Sequence, residues 1–151
     1  MKKFLYLLLI AVIAIQFFRI DTSVPEVSPA SDFISITNPS NEVESILKTS
    51  CYDCHSYETK YPWYSNIAPV SWWLKYHIND GRKHLNFSIW GEYSSKKADH
   101  KLEECVEEVE EGEMPLGSYT ITHSEAKLNS SQKKLLEDFF QSLRTFESED
   151  D

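Results

Sequence analysis

The sequence predicts an all-α domain preceded by an N-terminal membrane anchor helix, and three observations support this fold class. Apolar residues recur at three- and four-residue intervals in four segments between residues 42 and 143. Residues suited to start or end helices flank these segments: Asn41, Pro69, Gly81 and Gly112. No segment longer than a few residues alternates apolar and polar side chains as a strand would.

Residues 1–20 form a basic and then apolar segment. Lys2 and Lys3 precede 15 mostly apolar residues, FLYLLLIAVIAIQFF, and Arg19 follows. This order is typical of a signal peptide or signal anchor, although the run is shorter than the ~20 residues of a usual spanning helix. Because no small-x-small cleavage site closes the run, we predict an uncleaved anchor, with the domain on the extracytoplasmic side of the membrane.

The chain beyond residue 20 is strongly acidic. It holds 12 basic and 24 acidic residues, a formal charge of −12, because three of the 15 basic residues lie in the anchor segment. Nucleic-acid binding depends on basic patches, so nucleic acid is excluded as a partner. The charge permits docking to a protein with a basic surface, and it equally suits a domain that only has to stay soluble.

Residues 21–39, DTSVPEVSPASDFISITNP, are rich in Ser, Pro and acidic residues and show no helical period, which predicts a flexible linker. The domain follows at residues 40–145, and an acidic tail covers 146–151. Within the domain, the first predicted helix covers 42–51, is capped by Asn41 and runs directly into Cys51.

Three further helices are predicted. The second runs from Pro69 to Asp80 with Gly81 as its stop, and its apolar stripe is Val70, Trp73, Leu74, His77 and Ile78. The third runs from 96 to 111, ends at Gly112 and has one heavily acidic face. The last begins near Ser131 and turns Leu136 and Phe140 inward with their helical neighbours.

A cysteine pair followed by a histidine lies at the end of the first predicted helix, in KTSCYDCHSYET. C-x-x-C-H is the spacing of covalent haem attachment: two thiols one helical turn apart each bond one vinyl group of a porphyrin, and the histidine ligates the iron. We therefore predict haem c as the cofactor, held by Cys51, Cys54 and His55.

A zinc site and a dithiol redox pair are the alternatives for the same cysteines. Zinc needs four ligands, and only Cys105 plus a histidine remain to complete the set. A thioredoxin-like dithiol follows a strand in a βαβ unit, and no strand is predicted. The context favours haem, and Cys105 is predicted to be a buried free thiol on the apolar stripe of its helix.

Met114 is the candidate for the second axial ligand. It is the only methionine besides the start residue, and it lies next to Pro115 in the loop GEMPLGSY. A loop position lets the thioether reach the ring face opposite His55, so His55 and Met114 are the predicted iron ligands, with a histidine in place of Met114 as the alternative.

Four other residues are candidate contacts to the porphyrin. Trp63 and Trp73 belong to a dense aromatic set that can supply flat apolar walls. His77 and Arg82 are candidates to bind a propionate. Core packing and surface salt bridges are the alternative roles for residues of these types.

The motifs together resemble the bacterial haem-binding domain family, whose members look like small c-type cytochromes. The resemblance rests on CYDCHS, YPWYSNIAPVSWWL, His77, GRKHLNFSIW, MPLGSY and HSEAKL, and it covers about residues 40–142. It implies a cytochrome c-like helical domain around a covalent haem, with thioethers at Cys51 and Cys54 and proximal ligation by His55. Such domains also occur beside cytochrome c and peroxidase modules, which suggests electron delivery.

We therefore predict a membrane-anchored monohaem electron carrier in the periplasmic, extracytoplasmic space of a bacterium, with haem, redox proteins and the membrane as its partners. A carrier needs no catalytic residue, and none is predicted. Two alternatives remain: a haem-based sensor with a weak or absent sixth ligand, and a peroxidase-type enzyme component with an open iron position and distal acid/base groups.

Overall fold

The computed structural model describes residues 1–144, and the regular elements within them are all helices, which confirms the predicted all-α class. Its α-helices are α1 (Lys2–Ile15), α2 (Phe33–Thr37), α3 (Asn41–Ser50), α4 (Tyr52–His55), α5 (Val70–His84), α6 (Ser95–Glu111), α7 (Gly117–Thr120) and α8 (Ser130–Leu143). Short 3₁₀ turns lie at Pro29–Ser31, Trp63–Asn66, Phe87–Glu92 and Ser124–Ala126. The predicted acidic tail lies outside the described residues.

The N-terminal helix is short and exposed. Helix α1 covers 14 residues, and none of its side chains is buried. No helix within residues 1–144 has both the length and the apolar content needed to cross a membrane. Anchoring by residues 1–20 stays a prediction.

The predicted flexible linker is folded in its second half. Asp32 caps α2 by accepting the N–H of Ile34 at 2.9 Å, and the left-handed Asn38 ends the helix. Phe33 is fully buried, with its ring centroid 4.7 Å from that of Trp90 and 4.9 Å from that of Phe87. The overall polar composition of residues 21–39 predicted a linker, but Phe33 and Ile34 pack on the core and hold this segment in place.

The buried core joins the helices that surround the cysteine pair. Helices α6 and α8 pack on each other through Leu102, Val106, Leu136 and Phe140. Gly112 ends α6 with a φ of 80°, as the sequence predicted. Helix α3 begins one residue earlier than predicted, because the Ser40 hydroxyl accepts the N–H of Val43 and makes Ser40 the cap.

Helix α5 differs most from its prediction. It runs through Gly81 to His84, so Gly81 is an interior residue and not the predicted stop. Its buried side chains are Ser71, Leu74 and Ile78, whereas Val70 and Trp73 of the predicted stripe are exposed. The apolar periodicity predicted the wrong buried face for α5, because it counted aromatic residues whose apolar surface faces outward.

Asp32 provides a test of the folded linker. Its Oδ1 accepts hydrogen bonds from the N–H of Ile34 and from the Tyr52 hydroxyl, 3.0 Å away. Burial raises the pKa of Asp32, and these hydrogen bonds only partly oppose the shift. The folded state therefore holds the proton more tightly than the unfolded chain, and ionisation of Asp32 lowers stability as the pH rises through the raised pKa.

We expect Asp32→Asn to be no less stable than the wild type at pH 7, because an amide oxygen keeps both hydrogen bonds without the charge. Asp32→Ala should lower the free energy of unfolding by about 1–2 kcal/mol. Urea unfolding of both variants at pH 7 checks this. Equal stability of the Ala and Asn variants would contradict the capping role.

Candidate functional site

The C-x-x-C-H segment forms one helical turn. Helix α3 ends at Ser50, and the N–H of His55 then donates to the carbonyl of Cys51 at 2.9 Å, which closes α4. The Tyr52 ring stacks on Phe87 with centroids 5.1 Å apart, and the buried Ser56 hydroxyl donates to the Tyr52 carbonyl at 2.7 Å. These contacts fix the turn against the core.

A cavity of about 630 Å³ adjoins this turn. Cys51, Cys54 and His55 line it together with His77 and Met114, so the structure brings these five predicted site residues to one place. Apolar walls come from Leu85, Phe87, Val109 and Phe140. The cavity combines sulfur and imidazole donors with these apolar walls, and four carboxylates also line it: Asp80, Glu104, Glu107 and Glu108.

His55 is held in one tautomer. Its Nδ1 lies 3.1 Å from the carbonyl oxygen of Gly81 and 3.2 Å from that of Leu85. Carbonyl oxygens only accept, so Nδ1 carries the hydrogen and Nε2 keeps its lone pair. Burial lowers the pKa of His55 and so favours the neutral imidazole. A neutral ring with a fixed Nδ1–H is the form that ligates metals.

The cysteines that line the cavity are free thiols. Burial raises the pKa of Cys51 to about 12 and that of Cys54 to about 11, and it also raises the pKa of Cys105. All three are therefore protonated at neutral pH. Within residues 1–144, no group of three or more His, Cys, Asp or Glu side chains is arranged to hold a metal ion, so the structure adds no support for the zinc alternative.

Met114 reaches the cavity from the loop that follows α6. Its N–H donates to the carbonyl of Glu108 at 3.1 Å, which folds the loop back along the helix after Gly112. The side chain is half-buried in the cavity wall that it shares with His55. Iron ligation by Met114 stays a prediction, now with the residue placed in the cavity lining.

Three predicted contacts lie outside the cavity lining: Trp63, Trp73 and Arg82. Both tryptophans are exposed. Arg82 donates from Nε to the carbonyl of Ser56 at 2.7 Å and from Nη2 to the Thr59 hydroxyl at 2.9 Å. It therefore holds the segment that follows the motif, and cofactor contact by these three residues stays a prediction that the cavity lining does not support.

The structure adds residues that the sequence analysis did not select as site residues. Tyr119 lines the cavity, and its hydroxyl donates to Asp53 Oδ2 at 2.8 Å. Lys101 also lines it and is only 14% exposed. Lys101 and Cys105 lie four residues apart and therefore on the same face of the helix, so this spacing could have identified Lys101 as a lining residue. The sequence marked Gly81 as a helix stop and not as a site residue, because its role at the site depends on how α4 and α5 pack.

Comparison with known proteins completes the description of the site. The model of a family described as a haem-binding domain matches residues 10–142, which include every residue that lines the cavity. This match confirms the resemblance found in the sequence and extends it to the segment that carries Phe33. No curated protein and no solved structure matches the chain.

Proposed function

Because the chain belongs to the haem-binding domain family, we propose that it is a c-type monohaem protein that carries electrons outside the cytoplasmic membrane. The observation that carries this proposal is the fixed tautomer of His55 in a cavity that Cys51, Cys54 and Met114 also line. Haem supplies an iron that changes between the ferric and ferrous states and so transfers one electron.

The residues of the cavity fit this cofactor. A volume of about 630 Å³ lies in the range of pockets that enclose cofactor-sized molecules. Its apolar side chains suit the flat macrocycle, and Lys101, which pairs with Glu104 in this structure, would offer a cation to a propionate carboxylate. Imidazole and thioether are both ligands that suit haem iron.

Cys51 and Cys54 provide the covalent link in this proposal. Their thiols would hold the haem through one thioether each, formed by addition of S–H across a vinyl group. Both residues line the same cavity, and α4 holds them one helical turn apart. The raised pKa values keep them as neutral thiols before attachment.

His55 and Met114 are the residues that would hold the haem iron. The carbonyls of Gly81 and Leu85 hold the imidazole so that Nε2 is the free donor. A Met/His ligand pair raises the reduction potential relative to two histidines. Phe87 and Phe140 give the cavity apolar surface, and an iron held by two protein ligands would suit electron transfer better than reaction with a substrate.

The proposed location depends on the N-terminal sequence. Basic residues ahead of a long apolar run are typical of export and membrane attachment, and the acidic charge of the exported part suits a redox partner with a basic surface. We propose attachment to the extracytoplasmic side of the membrane through residues 1–20.

Met114→Ala should remove the far-red absorption band of the oxidised protein and lower the reduction potential, because the sulfur ligand is lost. His77→Ala is the matched control, since His77 also lines the cavity and should leave the band in place. Absorption spectra of both variants and redox titration check this. An unchanged band in Met114→Ala would overturn the assignment.

Carbon monoxide separates the carrier from the sensor alternative. The reduced wild type should resist carbon monoxide, because His55 and Met114 would both ligate the iron, whereas Met114→Ala should bind it. Rapid binding by the wild type would contradict the carrier and favour a small-ligand sensor.

A further inference from the structure

An exposed aromatic surface lies on the side of α5 that faces away from the core. We name it the aromatic patch; it consists of Trp63, Ile67, Val70, Trp72, Trp73 and Tyr76. Trp63 is 76% exposed and Tyr76 is 65% exposed. Clustered apolar side chains in contact with water are unusual in a soluble domain and mark an interaction surface.

The patch follows from the geometry of α5. At 3.6 residues per turn, positions 70, 72, 73 and 76 share one side of the helix, and the buried Ser71, Leu74 and Ile78 occupy the other. The turn Trp63–Asn66 packs beside α5 and adds Trp63 to the exposed side. The aromatic side chains of the patch are therefore not part of the buried core.

The exposed apolar helix α1 joins the domain at this patch. Gln16 exchanges two hydrogen bonds with the backbone of Ala68, each 3.0 Å long. Trp72 Nε1 donates to the carbonyl of Phe18 at 2.8 Å, and Arg19 donates to Asn66 Oδ1 at 2.9 Å. The residues that directly follow α1 therefore contact the domain at the patch, and the side chains of α1 are themselves exposed and largely apolar.

Charge is distributed unevenly around this region. Residues 60–90 contain four basic residues and one acidic residue, Asp80, whereas α6 contains seven acidic and three basic residues. Lys83 is exposed near the end of α5. The part of the chain that carries the patch is thus locally basic within an acidic protein.

We propose that the aromatic patch lies on the surface of an anionic lipid bilayer, beside the apolar helix α1. Tryptophan and tyrosine favour the membrane–water interface, where the ring is shielded and the polar edge stays hydrated. Basic residues next to the patch attract anionic headgroups. This mode of binding needs no spanning helix and does not depend on haem.

The first test is flotation of the full-length protein with vesicles of phosphatidylcholine, with or without phosphatidylglycerol. The double variant Trp72→Ser, Trp73→Ser should lower the protein's partition coefficient into both kinds of vesicle by roughly tenfold or more, because two large apolar side chains are no longer buried in the lipid interface. Helical circular dichroism shows whether the variant is folded.

Lys83→Glu tests the charge contribution. It should weaken binding by roughly tenfold to vesicles that contain phosphatidylglycerol and leave binding to neutral vesicles unchanged. Lys96→Glu is the matched control, since it makes the same charge change at an exposed position on the acidic helix α6. Equal effects of the two variants would overturn the proposed orientation.

Hydroxyl-radical footprinting of the wild type gives a test without variants. On vesicles, oxidation of Trp63, Trp73 and Tyr76 should fall several-fold, whereas His100, 62% exposed on α6, should stay reactive. Patch residues that stay as reactive as His100 would overturn the proposal. Protection without lipid, together with a doubled mass in light scattering, would also overturn it and assign the patch to a second copy of the chain.

Discussion

The double variant Cys51→Ser, Cys54→Ser is expected to lose all covalently bound haem. A serine hydroxyl fills nearly the same space as a thiol but does not form the thioether, so the cavity is kept and the covalent link is removed. Non-covalent haem would leave the protein in denaturant, because only the axial ligands and the cavity walls would then hold it. Each single variant should keep one thioether and therefore keep covalent haem.

Haem staining after denaturing electrophoresis measures this directly. Cys105→Ser is the matched control: Cys105 lines the same cavity as a protonated thiol but lies outside the C-x-x-C-H string, so its loss should leave the stained band at wild-type intensity. A stained band in the double variant would mean that the link runs through another residue. No band in the wild type would refute the covalent attachment itself while leaving haem binding by the family intact.

Helix boundaries that depend on neighbouring residues were predictable from the sequence, whereas elements that depend on distant packing were not. The end of α6 at Gly112 and the start of α8 near Ser131 depend on neighbouring residues, and both were predicted closely. Helix α2 was missed because its stability comes from Phe33, whose ring contacts lie more than fifty residues away in sequence, at Phe87 and Trp90. Distant packing leaves no periodic trace in five residues.

The site shows the same division. Cys51, Cys54 and His55 are adjacent in the sequence, so their spacing alone indicated their chemistry. Met114 was selected because it is the only methionine besides the start residue and lies in a loop, and it lines the cavity in the structure. Trp73 and Arg82 were selected by residue type, and residue type does not tell which side of α5 faces the cavity. Side-chain direction depends on the packed fold.

Gly81 shows what only the packed structure reveals, and its replacement should have the second largest effect. A Cβ at this position would lie 3.1 Å from the carbonyl oxygen of Cys54 and 3.4 Å from Cε1 of His55. The Gly81 carbonyl also accepts the Nδ1–H of His55. The residue therefore sets both the distance between α5 and α4 and the orientation of the imidazole.

Gly81→Val should lower the free energy of unfolding by about 1–3 kcal/mol, because three added carbons press on the backbone of α4, which has little room to move. The haem absorption should change with it, since a displaced α5 moves the acceptor that orients His55. Gly81→Ala separates the loss of stability from the displacement of His55. The better helix propensity of alanine offsets its close contact with Cys54 by up to about 1 kcal/mol, while the imidazole of His55 is still displaced. Gly117→Val is the matched control, because a Cβ there meets no atom within 4 Å. Urea unfolding and absorption spectra of the three holoproteins compare these effects, and wild-type values for both Gly81 variants would show that α5 does not position His55.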